Sequence, residues 1–375
     1  MEVQGKKVAI VHDWLVGGGA ERVVLELHRM FPDAPIYTSY CTDEWRQKLD
    51  GKAVTGWLQR WPFGKLRKFI PFLRIKWFES LDLTQYDLVI SSSGNGEAKG
   101  VRAGTLYNEG QVHVSYCHSP VHFYWRHYDQ YLATPGFGMF DPLARIGLKA
   151  LVGPLRKWDL KASKRPDYYI ANSTHIQADI KRYYDKNSTV IFPPVDTSRF
   201  ANPVADVPRK GFVTVGRQQP YKRVDIIVKA CTQLNLPLTV IGRGPAHEQL
   251  KCLAGTSITF ITGPEATDQA ITQAMRSAEA FIFAAHEDFG ITPIEALAAG
   301  TPVIAYQAGG ALDYVKPGVT GEFFAEQSVE SLKQTLESFD AAAYDHKTIA
   351  KSAERFSEAS FRKSLEAFIK SLANK

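Results

Sequence analysis

The chain is poor in sulfur and in long apolar runs: four cysteines and four methionines among 375 residues. Cys41, Cys117, Cys231 and Cys252 lie far apart, and no two share a C-x-x-C spacing. That argues against a structural zinc site and for a reducing compartment. No segment approaches the roughly 20 apolar residues that a membrane span needs. Met1 to Lys7 lead straight into a strand pattern, so no signal peptide is expected. Low-complexity tracts and solenoid-type repeats are also missing. What remains is an ordinary globular balance, 45% hydrophobic and 22% charged, in a chain long enough for two α/β domains and too long for one core.

The net charge of +6 is uneven. Residues 1–195 carry 26 Lys/Arg against 19 Asp/Glu, whereas residues 196–375 carry 19 against 20. The positive excess therefore belongs to the first half. Nucleic acid, an anionic membrane surface and a phosphorylated acceptor could each account for it.

Short β-branched runs alternate with helical patterns along the chain. Strands are expected at residues 7–11, 88–90, 112–115 and 168–171, then at 212–215, 238–241, 258–261, 280–283 and 302–305. Such βαβ alternation implies parallel sheets covered on both faces, with enough strands for two sheets. Pro193-Pro194 marks the expected boundary, because two prolines cannot continue a strand and stiffen a connector. Residues 201–210 read as a polar linker. Near the end, Phe361, Leu365, Phe368 and Ile369 have the spacing of one buried helical stripe.

Several loops could carry chemistry. Gly17-Gly18-Gly19 follows the first strand and opens a helix, where free N–H groups attract an anion. It is not a dinucleotide fingerprint, since Arg22 stands where the third glycine is needed. Ser92-Ser93-Gly94-Asn95-Gly96 is a second small-residue loop, and a tight βα turn would explain either loop as well. In the second half, Arg217, Lys222 and Arg223 follow a strand, at the end where open α/β sheets bind ligands. An arginine with a lysine suits a diphosphate; a solvated basic loop is the plain alternative. The segment from His286 to Ile304 reads strand, acidic glycine loop, helix, Gly300 as a stop, then another strand. Thr292 is expected to cap the helix, with Pro293 at its first position and Glu295 in its first turn. Two carboxylates, Glu287 and Glu295, beside amides near Phe289, Gly290 and Ile291 suit a sugar bearing hydroxyls with a diphosphate behind it. Both glutamates could instead merely favour the helix start, worth about 0.3–1 kcal/mol each.

This segment resembles the E-x7-E motif of the retaining glycosyltransferases of family four. The His-Asp-Trp-Leu opening, the triple glycine, Arg217 with Lys222, and Gly309-Gly310 with Gly318-x-x-Gly321 extend the resemblance over nearly the whole chain. Bacterial mannosyltransferases that build O-antigen and other cell-surface polysaccharides are the members most similar to it. The resemblance implies a GT-B architecture: two Rossmann-like α/β domains, 1–195 for the acceptor and 196–355 for the nucleotide sugar, facing across a cleft. Residues 356–375 would form a helix returning to the first domain. It also implies that Arg217 and Lys222 neutralise the donor diphosphate. Glu287 would lie beside the donor sugar and Glu295 on the ribose, with Phe289, Gly290 and Ile291 completing those contacts. Gly18 and Gly19 would approach the diphosphate and acceptor, and His118 would lean over the transferring sugar. No cofactor and no metal are implied, and Asp-x-Asp, the metal–diphosphate clamp of the other main transferase fold, does not occur. The donor expected from the resemblance is GDP-mannose, or alternatively a UDP-hexose, and the acceptor a glycan or lipid-diphosphate-linked sugar. An epimerase or phosphorylase of the same shape, or a nucleotide-sugar-binding protein, are the rivals. No nucleic-acid recognition motif is present.

The positive excess concentrates in residues 57–78, which hold Arg60, Lys65, Arg67, Lys68, Arg74 and Lys76, no acid, and seven aromatics. Such a mixture suits an anionic membrane surface, placing a cytoplasmic enzyme at the inner face of the cell membrane. Alternatively, Pro62 and Pro71 break it into short helices whose rings are core.

Overall fold

The computed structural model describes residues 6–121, 123–126, 128–133, 138, 141–200 and 208–372. Most of the expected linker, at 201–207, lies outside them. The chain divides into two compact units, residues 1–193 with 364–375, and residues 194–363. The division falls inside the diproline rather than after Val195. Val195 instead pairs with the second unit, its amide donating to the Phe356 carbonyl at 2.9 Å.

The first unit holds a seven-stranded parallel sheet of β1 (Val8–His12), β2 (Ile36–Thr38), β3 (Ala53–Val54), β4 (Leu88–Ser93), β5 (Val112–Cys117), β6 (Tyr168–Ala171) and β7 (Ser188–Val190). Its spatial order is β3-β2-β1-β4-β5-β6-β7. Every residue of β1 and β4 is buried, as central parallel strands with helices on both faces require. The strands that the periodicity missed, β2, β3 and β7, are two or three residues long and flank that centre. Runs that short carry no readable period.

Segment 57–78 becomes four short helical pieces, the last starting with Pro71 at its first turn. Leu58, Trp77 and Phe78 pack beneath the sheet on Ala9, Val11 and Val89. Arg74 is buried as well, ion-paired with buried Glu97 at 2.6 Å. It therefore contributes no surface charge, and the expectation of six surface cations is corrected at that residue.

The second unit holds a six-stranded parallel sheet of β8 (Phe212–Val215), β9 (Leu238–Ile241), β10 (Ile258–Ile261), β11 (Ala280–Phe283), β12 (Val303–Tyr306) and β13 (Gly321–Phe324). The order is β10-β9-β8-β11-β12-β13. Its core joins Phe212, Val240, Ile282 and Ile304 of the sheet to Ile227 and Cys231 of one helix and Leu332 and Leu336 of another. The final helix runs Glu358–Leu372, burying Phe361, Leu365 and Ile369 as the stripe requires. Phe368 is only half-buried, edge-on to Tyr168. Residues from Ser364 onward group with the first unit, and residues 356–363 with the second.

In both sheets the chain reverses its direction of spread next to the first strand. The reversals lie between β1 and β4, and between β8 and β11. Loops leaving the carboxyl ends of those strands splay apart there, and ligands of open α/β sheets bind in that gap.

Candidate active site

The second unit places the expected donor residues at its reversal point. Arg217 and Lys222 lie on the loop leaving β8, and Glu287 on the loop leaving β11. Lys222 Nζ and Glu287 Oε1 form an ion pair, each side chain 21% exposed. Burial alone would lower the Lys222 pKa; the charge and hydrogen bond of Glu287 outweigh it and raise it above the usual lysine value. Lys222 is therefore cationic throughout the physiological range. Arg217 stands exposed on the same loop and, with Thr214, Gly216, Gln218, Lys222 and Phe283, lines a small cavity at the strand ends. Gln218 holds this loop to its neighbour. Its amide donates to the Gly242 carbonyl at 2.7 Å, and its carbonyl faces His247 Nδ1 at 2.7 Å.

Close backbone packing fixes Glu287. The Gly310 amide donates to the Glu287 carbonyl at 2.9 Å. A Cβ on Gly309 (φ +65°) would sit 2.2 Å from that same carbonyl oxygen, and one on Gly310 would sit 2.4 Å from Phe289 Cα. The glycine pair thus lets one loop lie directly on the other, which any side chain would prevent. Phe289 is buried, edge-on to Tyr314 and Phe356.

The helix after Glu287 spans Ile291–Ala298, and its N-cap is Gly290 at φ +87°. The expected Thr292 cap is thereby corrected. Gly290 turns the chain through a conformation that a side chain resists, so the helix starts before Thr292, and Pro293 sits inside the first turn. Glu295 accordingly falls in the second turn and is buried. Ile291 is the first helical residue, so the Phe289–Ile291 amides lie at the helix start.

In the first unit, Gly17, Gly18 and Gly19 are exposed at the carboxyl end of β1, with Gly18 the N-cap of the helix Gly19–Met30. The Glu21 carboxylate accepts from the Gly17 amide at 2.9 Å and the Val16 amide at 3.3 Å, which holds the turn. His118 follows β5 and is half-buried. His12 Nδ1 lies 2.9 Å from the Ser92 carbonyl, which can only accept, so His12 carries its hydrogen there. The Ser92 hydroxyl is then free to donate to His118 Nε2 at 2.7 Å; a neutral His118 that accepts there carries its hydrogen on Nδ1. Burial first, and His12 second, push the His118 pKa down to about 3, so its ring is neutral.

Ser92 and Asp13 stand in motifs that the sequence shows, but sequence reasoning gave neither a role. Asp13 is buried and accepts from the amides of Gly94 (2.8 Å), Asn95 (2.7 Å) and Ala98 (2.7 Å). The His-Asp-Trp-Leu opening thus clamps the second small-residue loop onto the first. The available signal was an aspartate directly after a buried strand facing a glycine-rich loop, although their separation of about 80 residues concealed it.

The Glycosyltransferase Family 4 description matches residues 17–199, and the Glycosyl transferases group 1 description matches residues 196–361. The chain belongs to the family-four glycosyltransferases, and its two parallel-sheet units have the GT-B fold. D-inositol 3-phosphate glycosyltransferase of Mycolicibacterium gilvum is 32% identical over 35% of this chain and 34% of its own. The alpha-1,3/1,6-mannosyltransferase alg2 of Schizosaccharomyces pombe is 23% identical over 84% of this chain and 70% of its own. The chain spans between about a third and a half of the length of the first curated relatives it matches (34% and 49% for two of them). Among solved structures, Anabaena HepE in complex with UDP superposes with a TM-score of 0.68 at 18% identity, covering 97% of this chain and 100% of that one. At such identity the likeness bears on the fold.

Proposed function

We propose that this chain transfers a hexose from a nucleotide diphosphate sugar to a glycan or lipid-diphosphate-linked acceptor, with retention at the anomeric carbon and without a metal. The single observation that carries this reading is the half-buried pairing of Lys222 with Glu287, beside Arg217, at the reversal point of the second sheet. A fixed cation meets a fixed carboxylate where a ligand would sit, and a diphosphate–sugar junction needs both. As the bond from the anomeric carbon to the phosphate oxygen lengthens, negative charge grows on the β-phosphate. Arg217, Lys222 and the amides at the start of the helix Ile291–Ala298 answer it with preorganised positive charge. The acceptor oxygen bonds to the anomeric carbon on the face the diphosphate leaves. Its proton passes to the departing phosphate oxygen, so the balance closes without a protein nucleophile.

Mannose from GDP-mannose, in the synthesis of a cell-surface polysaccharide, is the donor reading we favour. It rests on the resemblance in the E-x7-E region and on the long, weak likeness to a mannosyltransferase. A UDP-hexose is the alternative, prompted by HepE, which has been solved with UDP-glucose. The test is nucleotide release by purified protein with a panel of GDP-, UDP- and dTDP-sugars, in the presence of EDTA. The product of an α-linked donor should be α-linked by NMR. A β-product, or activity lost to EDTA and restored by Mg²⁺ or Mn²⁺, overturns the mechanism. Release from UDP- but not GDP-sugars overturns the donor.

A further inference from the structure

Gly309 and Gly310 lay their loop directly on the Glu287 loop, and the short helix that follows, Ala311–Tyr314, ends in a buried tyrosine. Tyr314 is 2% exposed. Its ring stands edge-on to Phe289 and to Phe356, at centroid distances of 6.3 and 6.4 Å. Its backbone is held as well, because the buried Thr320 hydroxyl donates to the Tyr314 carbonyl at 2.9 Å. Ring and backbone together fix where the phenol oxygen lies. A Cβ built on Gly290 would sit 2.8 Å from that oxygen and 3.3 Å from the Phe283 ring. The hydroxyl therefore fills the space that a side chain at Gly290 would need, beside the N-cap of the helix Ile291–Ala298. Phe283 also lines the cavity of Arg217 and Lys222, so the hydroxyl lies close behind that cavity.

A phenylalanine would fill the same ring space. The hydroxyl adds a buried polar atom with no hydrogen-bond partner among the described residues. Such an atom has lost its hydration without a replacement, which destabilises the fold. Burial first, then the charges of Glu287 and Asp313, raise the Tyr314 pKa well above the usual phenol value. The group stays protonated and is a standing donor. Glu287 is near enough for its charge to act on that donor, yet its carboxylate is committed to Lys222.

We propose that Tyr314 is a positioning residue for the donor site, its hydroxyl donating to the Glu287 carboxylate when the Lys222 ammonium is drawn away. The group that draws the ammonium is a diphosphate, and in this the inference rests on the transferase reading. Without a replacement, Glu287 would stand half-buried and uncompensated as the donor arrives, a state that burial penalises. A neutral O–H holds the carboxylate and adds no cation to compete for phosphate. It also leaves the second carboxylate oxygen to accept from sugar hydroxyls. Gly290 permits the exchange, since any side chain there would take the hydroxyl's place. One carboxylate then has two holders, one for each state of the loop. That accounts for a hydroxyl left idle in the free protein.

The exchange has a signature in stability that needs no ligand. In the otherwise wild-type protein, Tyr314→Phe removes an idle buried hydroxyl and should raise the melting temperature by roughly 2–4 °C. In a Lys222→Ala background Glu287 already engages the hydroxyl, so the same substitution should lower the melting temperature. Lys222→Met, which keeps the apolar stem, is a second background and should show the same reversal. A ring that only fills space shifts every background in one direction. Isothermal titration with GDP and with UDP is the second readout, and Tyr314→Phe should weaken binding on the order of tenfold. A lower or unchanged melting temperature for Tyr314→Phe alone, one sign of shift in all backgrounds, or unchanged nucleotide affinity overturns the role. If wild type binds neither nucleotide, the transferase reading fails by itself, and the melting series still decides the exchange.

Discussion

Removing the Lys222 ammonium tests the site most directly, because in the unliganded protein that cation is held by Glu287 and must be shared with, or ceded to, an incoming diphosphate. Lys222→Ala deletes one charge-assisted contact to phosphate, worth about 1.5–3 kcal/mol, or roughly 10–150-fold in Kd for a nucleoside diphosphate. It also removes one preorganised stabiliser of the leaving group, so kcat should fall by about 10²–10³, or 2.7–4 kcal/mol. Glu287→Gln makes the opposite prediction for binding. The carboxamide keeps the shape but releases Lys222, so nucleoside diphosphate should bind as tightly as to wild type or several-fold more tightly. Turnover should still fall, because the sugar hydroxyls lose an ionised acceptor. Isothermal titration with GDP and UDP on both single variants and the double variant, beside nucleotide-release rates, completes a double-mutant cycle. Equal loss of diphosphate affinity in the two single variants would mean that the pair serves only the fold of the loop. Wild-type affinity in Lys222→Ala would remove the lysine from the donor site altogether.

Two further outcomes follow from the packing. Gly309→Ala places a Cβ against the Glu287 carbonyl in a left-handed backbone position. It should cost about 1–2 kcal/mol of stability and, by displacing Glu287 by a fraction of an ångström or more, up to about 10² in kcat; a melting curve and a rate assay check both, and an unaltered kcat refutes the loop-on-loop support. His113 is fully buried, with its pKa pushed down to about 4 by burial first and by Arg165, against the pull of Asp167. Below its unfolded value near 6.5 the unfolded chain binds the proton and the folded chain does not, so this residue's contribution to stability is lost as pH falls from about 6.5 to about 4. The slope is about 1.4 kcal/mol per pH unit, and denaturant midpoints for His113→Gln should be flatter over that window by that amount.

Much of the fold was legible in the residues themselves. Nine strands were marked by their apolar, largely β-branched runs within a few residues; β2, β3 and β7 were missed because two or three residues are too short to alternate, and β13, Gly-Glu-Phe-Phe, because it has no β-branched residue; the diproline marked the place where the units divide. Arg217, Lys222 and Glu287 could be read because each follows a strand in a loop whose composition is wrong for mere packing. Resemblance then joined them into one site before any geometry was known. What the chain order could not reveal was which loops meet. Asp13 and Gly94 are 81 positions apart, and only the pairing of β1 with β4 brings the carboxylate to the amides. Ser92 gains its role in the same way, set between His12 and His118 by three adjacent strands. Arg74 was indistinguishable in sequence from its surface neighbours; only the structure brings it to the buried Glu97, in the loop after the central strand β4. The helix that carries Glu295 begins earlier than its threonine suggested, because a positive φ at Gly290 is set by the surrounding loops and not by capping propensity. Local composition fixes period, turn and charge, which act over a few residues. Hydrogen-bond partners, burial and the tautomer of a histidine depend on residues that meet only once the sheet has formed, and those the tertiary structure alone decided.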